Sequence, residues 1–250
     1  MKIKVIYIFL LATLMSFAQN TKQEIFSQQS LIDKAITVLN IDESQTEYVL
    51  SKESPDNPKE TIIVIAVIVN EDYETYELDS YIVIANSTTG KITHTFYENP
   101  KTNGWISDAV FIYDISIDTT NYKLNASKNA FGVTVKFRTM SQPNPYYSES
   151  LSLFTKEKNS LIKILDFHTI YESFGVVNVN TCYSNFKNTT DELSMTNSKT
   201  NGFNDILVTR KKSTLNHLED VKGDCNPKET INSITTHLLK YDGEAYKIQN

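Results

Sequence analysis

From Thr61 onward the chain repeats one plan three times: a run rich in β-branched and aromatic residues, a polar interval, then two more such runs around a short turn. The runs are 62–69 followed by 81–85 and 91–97, then 131–137 followed by 151–154 and 161–167, and last 205–209 followed by 237–241 and 244–248. Short runs bounded by turn residues have the length of strands, and Val, Ile, Thr, Tyr and Phe suit a pleated, half-buried surface. The fold class this predicts is mainly β: repeated strand-hairpin modules forming a small irregular propeller or a β-sandwich, with one N-terminal amphipathic helix. Seven glycines are few for the tight corners of a propeller. Three modules also fall short of the usual blade number, about four to eight.

The helix is predicted over 22–39, where Ile25, Phe26, Leu31, Ile32, Ala35, Ile36 and Leu39 recur at three- and four-residue spacing. Its apolar stripe is expected to pack on a sheet. Residues 42–60 read as a weak strand and an exposed loop broken by Pro55 and Pro58, which makes 19–60 a helical leader and loop packed on a β domain of 61–250. In the last hairpin, Asp242-Gly243 accepts the positive φ angles of a two-residue type I′ turn. That turn sets Tyr241 opposite Glu244, Leu239 opposite Tyr246 and His237 opposite Ile248, with Leu239, Tyr246 and Ile248 on one face.

Ahead of all this, Lys2 and Lys4 precede an apolar run over 5–15 and the small-residue ending Ser16, Phe17, Ala18. The pattern predicts a signal peptide over 1–18, cleaved at about Ala18, and a periplasmic or extracellular protein. The run is shorter than the roughly 20 residues of a membrane span, so no transmembrane anchor is expected, and Gln19 and Asn20 stand where a lipid-carrying cysteine would follow the cleavage site. Losing Lys2 and Lys4 takes the net charge from -6 to -8. Nucleic acid is a poor partner for so acidic a chain, whose only dense basic run is Arg210, Lys211 and Lys212. In an oxidising compartment Cys182 and Cys225 read as one disulfide, with two unpaired thiols as the alternative. The disulfide would contribute about 4 kcal/mol by chain entropy. It would staple the polar, weakly patterned stretches 185–202 and 216–227.

Motifs for cofactor chemistry are missing: no phosphate-cradling or dinucleotide-binding glycine loop and no Gly-x-Ser-x-Gly elbow occurs, and no cofactor is expected. His94, His168, His217 and His237 are scattered, without the close spacing of a zinc site. Asp114 and Asp118 are the closest acids within one β-like run, and their even spacing puts them on one side of a strand, as an acid pair, a weak metal site or solvated strand-end acids. The aromatic residues offer a binding clue. Tyr146 and Tyr147 follow Pro143 and Pro145 in an extended segment, and Trp105 follows Asn103-Gly104. Together they would form a platform for a sugar or a protein; the other reading has Trp105 anchoring the core while the tyrosines straddle an edge.

Asp114, Ile115, Ser116, Ile117 and Asp118, with Tyr122, Lys123, Leu124 and then Ala130, Phe131, Gly132 and Val133, resemble segments of uncharacterised secreted bacterial β proteins. Asn204 to Val208, with the closing run Leu239 to Tyr246, is also similar to the last strands of FG-GAP-type propeller blades. The resemblance implies an extracytoplasmic β scaffold and no particular activity. The calcium loop of such blades, Asp-x-Asp-x-Asp-Gly, is absent. The function expected is a secreted non-enzymatic binding or interaction module of the cell envelope, with an unknown protein or glycan partner. The alternative is a hydrolase of polysaccharide or peptide using carboxylates that the sequence does not identify.

Overall fold

The computed structural model describes residues 26–72, 75–220 and 222–248. The expected signal peptide, 1–18, lies outside them, as do residues 22–25 of the predicted helix. The helix itself, α1 (Gln28–Leu39), starts where the Ser27 hydroxyl accepts the Ser30 N–H (3.2 Å) and ends at Asn40, whose left-handed backbone (φ 53°) turns its N–H back onto Ile36 and Thr37. Its stripe of Leu31, Ile32 and Ala35 is buried against Ile63, Ile65, Val67, Val83 and Ala85.

Those partners lie on β2 and β3 of an open sheet that has 13 strands among the described residues: β1 (Thr46–Ser54), β2 (Asn57–Asp72), β3 (Thr75–Asn86) and β4 (Ile92–Glu98) run antiparallel in order, and the short β5 (Ile106–Ser107) pairs with the start of β3. The expected exposed loop before Thr61 is instead a tight turn at Pro55-Asp56 between β1 and the start of β2, because Ser54 and Asn57 already pair. Alternate residues of β2 point away from the helix. Ile62, Val64 and Ala66 join Ile112, Ile115 and Ile117 of β6 (Val110–Lys123) and Val133, Val135 and Phe137 of β7 (Asn129–Thr139) in a second core.

Beyond β7 come β8 (Tyr146–Glu157) and β9 (Ser160–Val177), and β9 meets β4 through one parallel bridge, Thr95 with Ser160. Side chains hold this seam. The Lys163 ammonium, 11% exposed, donates to Glu98 (2.7 Å), and the Phe96 and Phe154 rings meet edge-on at 5.1 Å. The sheet then continues through β10 (Ser184–Thr200), β11 (Phe203–Glu219) and β12 (Cys225–Tyr241) to β13 (Tyr246–Ile248). A third core joins Leu151, Leu153 and Ile164 to Ile206, Val208, Leu239 and Tyr241.

The three expected modules fall on β2–β4, β7–β9 and β11–β13. Two further expectations give way. First, most of the polar stretch 185–202 lies in the 17-residue strand β10, and its last two residues, Asn201-Gly202, have both φ angles positive (49° and 86°) and make a two-residue hairpin turn to β11. Second, the last hairpin pairs Tyr241 with Tyr246 and Leu239 with Ile248. The Asp242 carboxylate accepts the N–H groups of Glu244 (2.9 Å) and Ala245 (2.8 Å), which opens the turn to four residues and moves the register by two. An even shift keeps each side chain on its face, so Tyr246 is still buried while Ile248, at the end, is 57% exposed.

Cys182 and Cys225 are joined, tying the turn between β9 and β10 to the first residue of β12. This bond fits an oxidising compartment. No helix among the described residues is long and apolar enough to cross a membrane.

Candidate binding groove

The chain that leaves β4 forms one wall of a groove. Pro100–Asn103 makes a single helical turn, α2, closed by Gly104 at φ 71°, where a side chain would be strained. The Asn103 amide donates to Leu78 O and Ser80 Oγ, both at 3.0 Å, and its oxygen accepts the Trp105 N–H at 2.7 Å. These bonds pin the segment to β3 and send the Trp105 ring inward, where it is 4% exposed in the core shared by β2, β6 and β7. Gly104, Ile106, Asp108 and Val110 are left facing Phe137, Tyr146, Ser148, Ser150, Phe167 and Thr169 across a shallow groove of 380 Å³.

Phe167 is the unusual member. Its φ is +44°, a region that costs a residue with a Cβ about 1–2 kcal/mol. The pairing of β8 with β9 shifts register repeatedly just there, and the Phe167 N–H donates to the Ser152 hydroxyl (3.1 Å) rather than to the ladder. The bulge swings the ring over Gly104 and edge-on to Phe137, at 5.8 Å between centroids. Strain retained beside a concavity points to function there.

The register extends the groove. Phe137, Ser148, Glu172, Thr189, Lys212 and Ser233 pair in succession across β7 to β12 on one face of the sheet, five steps of about 4.8 Å and about 24 Å in all. At Thr169 the groove meets a second hollow of 200 Å³, lined also by Glu172, Thr189, Arg210 and Lys212. Glu172 accepts the Tyr146 hydroxyl at 3.1 Å. The lining carries the acids Asp108 and Glu172 and the bases Arg210 and Lys212.

Arg210 is positioned from behind. Its guanidinium forks onto Asp191 with two bonds of 2.7 Å, and His168 Nε2 shares the same carboxylate at 3.0 Å. The Asp191 side chain is only 1% exposed. Burial pushes its carboxyl up, but the Arg210 fork and His168 more than offset this and hold it below the ordinary value. Burial pushes the His168 imidazole down, Asp191 opposes that, and the result lies below the usual histidine range. The triad ties β9, β10 and β11 together where β9 and β10 cease to pair beyond Tyr171 and Thr190.

The three proposed platform aromatics are not brought together. Trp105 is in the core; Tyr146 and Tyr147 are neighbours on β8 and project to opposite faces. Tyr146 lines the groove, whereas Tyr147, 36% exposed, looks onto an open shelf with Pro145, Val177, Val179 and Phe186. Asp114 and Asp118 share one side of β6, where Asp114 pairs with Lys136 (2.9 Å) and Asp118 accepts the Tyr122 hydroxyl (2.7 Å). His94 contacts Thr93 and the Lys158 carbonyl, and His217 contacts Ser184. No group of three metal-ligating side chains occurs among the described residues. The groove residues Ser148, Ser150, Phe167, Thr169 and Glu172 were missed, although small hydroxyls at Ser148 and Ser150, two apart on an aromatic-rich strand, were a legible sign of a polar face.

No protein-family model matches this chain, and no curated protein or solved structure matches it either.

Proposed function

We propose that this protein is a non-enzymatic binding module working outside the cytoplasm, and that the groove takes a neutral oligosaccharide lying across the strands. The observation that carries the reading is the strained Phe167 ring held over a hydroxyl-lined groove. A sugar hydroxyl both donates and accepts, so it suits a lining that mixes serine and threonine hydroxyls with carboxylate acceptors and Lys and Arg donors. The rings of Phe167 and Tyr146 offer apolar surface to the C–H face of a pyranose, with buried Phe137 supporting Phe167 from beneath. A shallow groove that runs across strands suits a linear ligand better than a small compact one. The disulfide supports an oxidising location. We read the scaffold as sandwich-like rather than bladed, because β2 shares one core with β6 and β7 instead of stacking modules around a channel.

The test is calorimetric titration of the disulfide-bonded protein with neutral hexasaccharides of glucose, mannose and N-acetylglucosamine. At least one should bind, and Thr169→Trp, which fills the junction of the two hollows, should weaken it at least tenfold while Tyr147→Ala on the opposite face leaves it unchanged. Failure of all three sugars to bind, or equal binding by Thr169→Trp, would refute the reading.

A further inference from the structure

The outer edge of β12 carries a different kind of information. One side of this strand pairs with β11 from Cys225 to Leu239. On the other side β13 takes only Leu239, Lys240 and Tyr241, which leaves the stretch before them without a strand neighbour among the described residues. Sheet edges are ordinarily guarded by charges, proline, short length or a covering segment. β1 carries Glu47, Lys52 and Glu53, and β6 carries Asp114, Asp118 and Lys123. Along β12, by contrast, Thr230, Ile231, Asn232, Ser233, Ile234, Thr235, Thr236, His237, Leu238 and Leu239 run in sequence with neither a charged residue nor a proline.

A bulge sharpens the point. Ser213 pairs with Ile231 and Lys212 with Ser233, so Asn232 is an extra residue, held by a bond from its amide to the Thr214 hydroxyl at 2.8 Å. Ile231 and Ile234 are three apart and would lie on opposite faces of a regular strand. The extra residue puts both on one face, opposite Ser213 and Lys211, where they are 56% and 61% exposed. A bulge that builds an apolar pair on an uncharged edge is suited to contact.

We propose that β12 pairs with β12 of a second copy of this chain, antiparallel about a two-fold axis between Asn232 and Ser233. The sequence is self-complementary in that register. Ile231 of each copy lies opposite Ile234 of the other, Thr230 opposite Thr235, and the charges at Lys228 and Glu229 fall opposite His237 and Thr236, so no like charges meet. Two acidic molecules thus meet along a stretch that carries no net charge. The pairing does not depend on the groove reading. Where both hold, the transverse row ending at Ser233 continues into its copy, and two grooves lie end to end.

Sedimentation velocity on the disulfide-bonded protein tests the pairing. A dimer is expected, and Ile231→Lys with Ile234→Lys should return it to monomer with the circular dichroism spectrum and the disulfide intact. Residues opposite each other across an antiparallel pair have Cα atoms about 4.5–5.5 Å apart, within disulfide reach. Mixed Ile231→Cys and Ile234→Cys proteins should therefore crosslink under mild oxidation, and either protein alone should not. A monomer at every concentration, a dimer indifferent to the two lysines, or crosslinking within either single variant would overturn this register and the interface with it.

Discussion

Strands β2 and β12 are of nearly equal length, 16 and 17 residues, and live in opposite surroundings. Residues 62–66 of β2 are wholly buried because α1 covers one face and β6 and β7 the other. The first half of β12 is exposed on both faces. Burial decides the first strand, whose sequence is an unbroken apolar run; ladder hydrogen bonds and β-branched residues suffice for the second. A chain thus needs only a small buried body to support a long polar extension, provided that something limits the extension's freedom. Here the Cys182–Cys225 bond does so at the far end and the Asp191–Arg210–His168 triad at the near end.

The largest effect should come from the bond. Replacing Cys182 and Cys225 with serine is expected to lower stability by about 4 kcal/mol. The loss should appear as faster amide exchange in 184–190, 211–219 and 225–233, with 62–66 still protected. Equal acceleration in β2 would show that body and extension unfold as one unit, and the contrast would fail. A smaller contrast comes from one chemical change made twice. Ile65→Ala, at a fully buried site, should cost about 3 kcal/mol in chemical denaturation, whereas Ile234→Ala at dilute, monomeric concentration should stay within about 0.5 kcal/mol. A large cost at Ile234 in a monomer would mean that the exposed face is covered after all.

The triad makes the near end sensitive to pH. Because burial holds the folded-state pKa of His168 below that of the unfolded chain, the unfolded chain takes up the proton more readily. Stability should be full above the unfolded value, about 6.5, and should decline as pH falls below it toward the folded value. Asp191, held low in the fold, adds a separate loss at more acidic pH, below about 4. His168→Gln should flatten the first decline and leave the second. An unchanged slope between neutral and mildly acidic pH would place the titrating group elsewhere.

How much of this was legible follows the same division. The apolar runs gave the strands of the body, and the spacing of Leu31, Ile32 and Ala35 gave the helix, because each is patterned by the surface it covers. The extension was nearly invisible: Thr, Asn and Ser alternate in β10 without an apolar period, since neither face of its first half packs on a core. Only Asn201-Gly202 marks it, and Asp242-Gly243 carries the same turn signal although its aspartate carboxylate captures two backbone N–H groups and opens the turn. The groove was hidden for another reason. Its members come from β7, β8, β9 and the segment after α2, and what joins them is the bulge at Phe167, set by a backbone angle that no residue type announces.

Phe167 stands on β9, which passes from one region to the other, since it pairs with β8 in the body and from Tyr171 onward with β10. If its backbone is strained there, the usual order of small residues should invert. In an ordinary strand glycine is about 0.5–1 kcal/mol less stable than alanine. At a left-handed position alanine bears the clash of its Cβ and glycine does not. Phe167→Gly should therefore be more stable than Phe167→Ala by about 1 kcal/mol in chemical denaturation, although both lose the packing of the ring on Phe137. Both should also lose the proposed sugar binding, because neither places an aromatic surface over Gly104. If alanine proves the more stable, β9 passes from body to extension without strain, and the bend owes nothing to the groove.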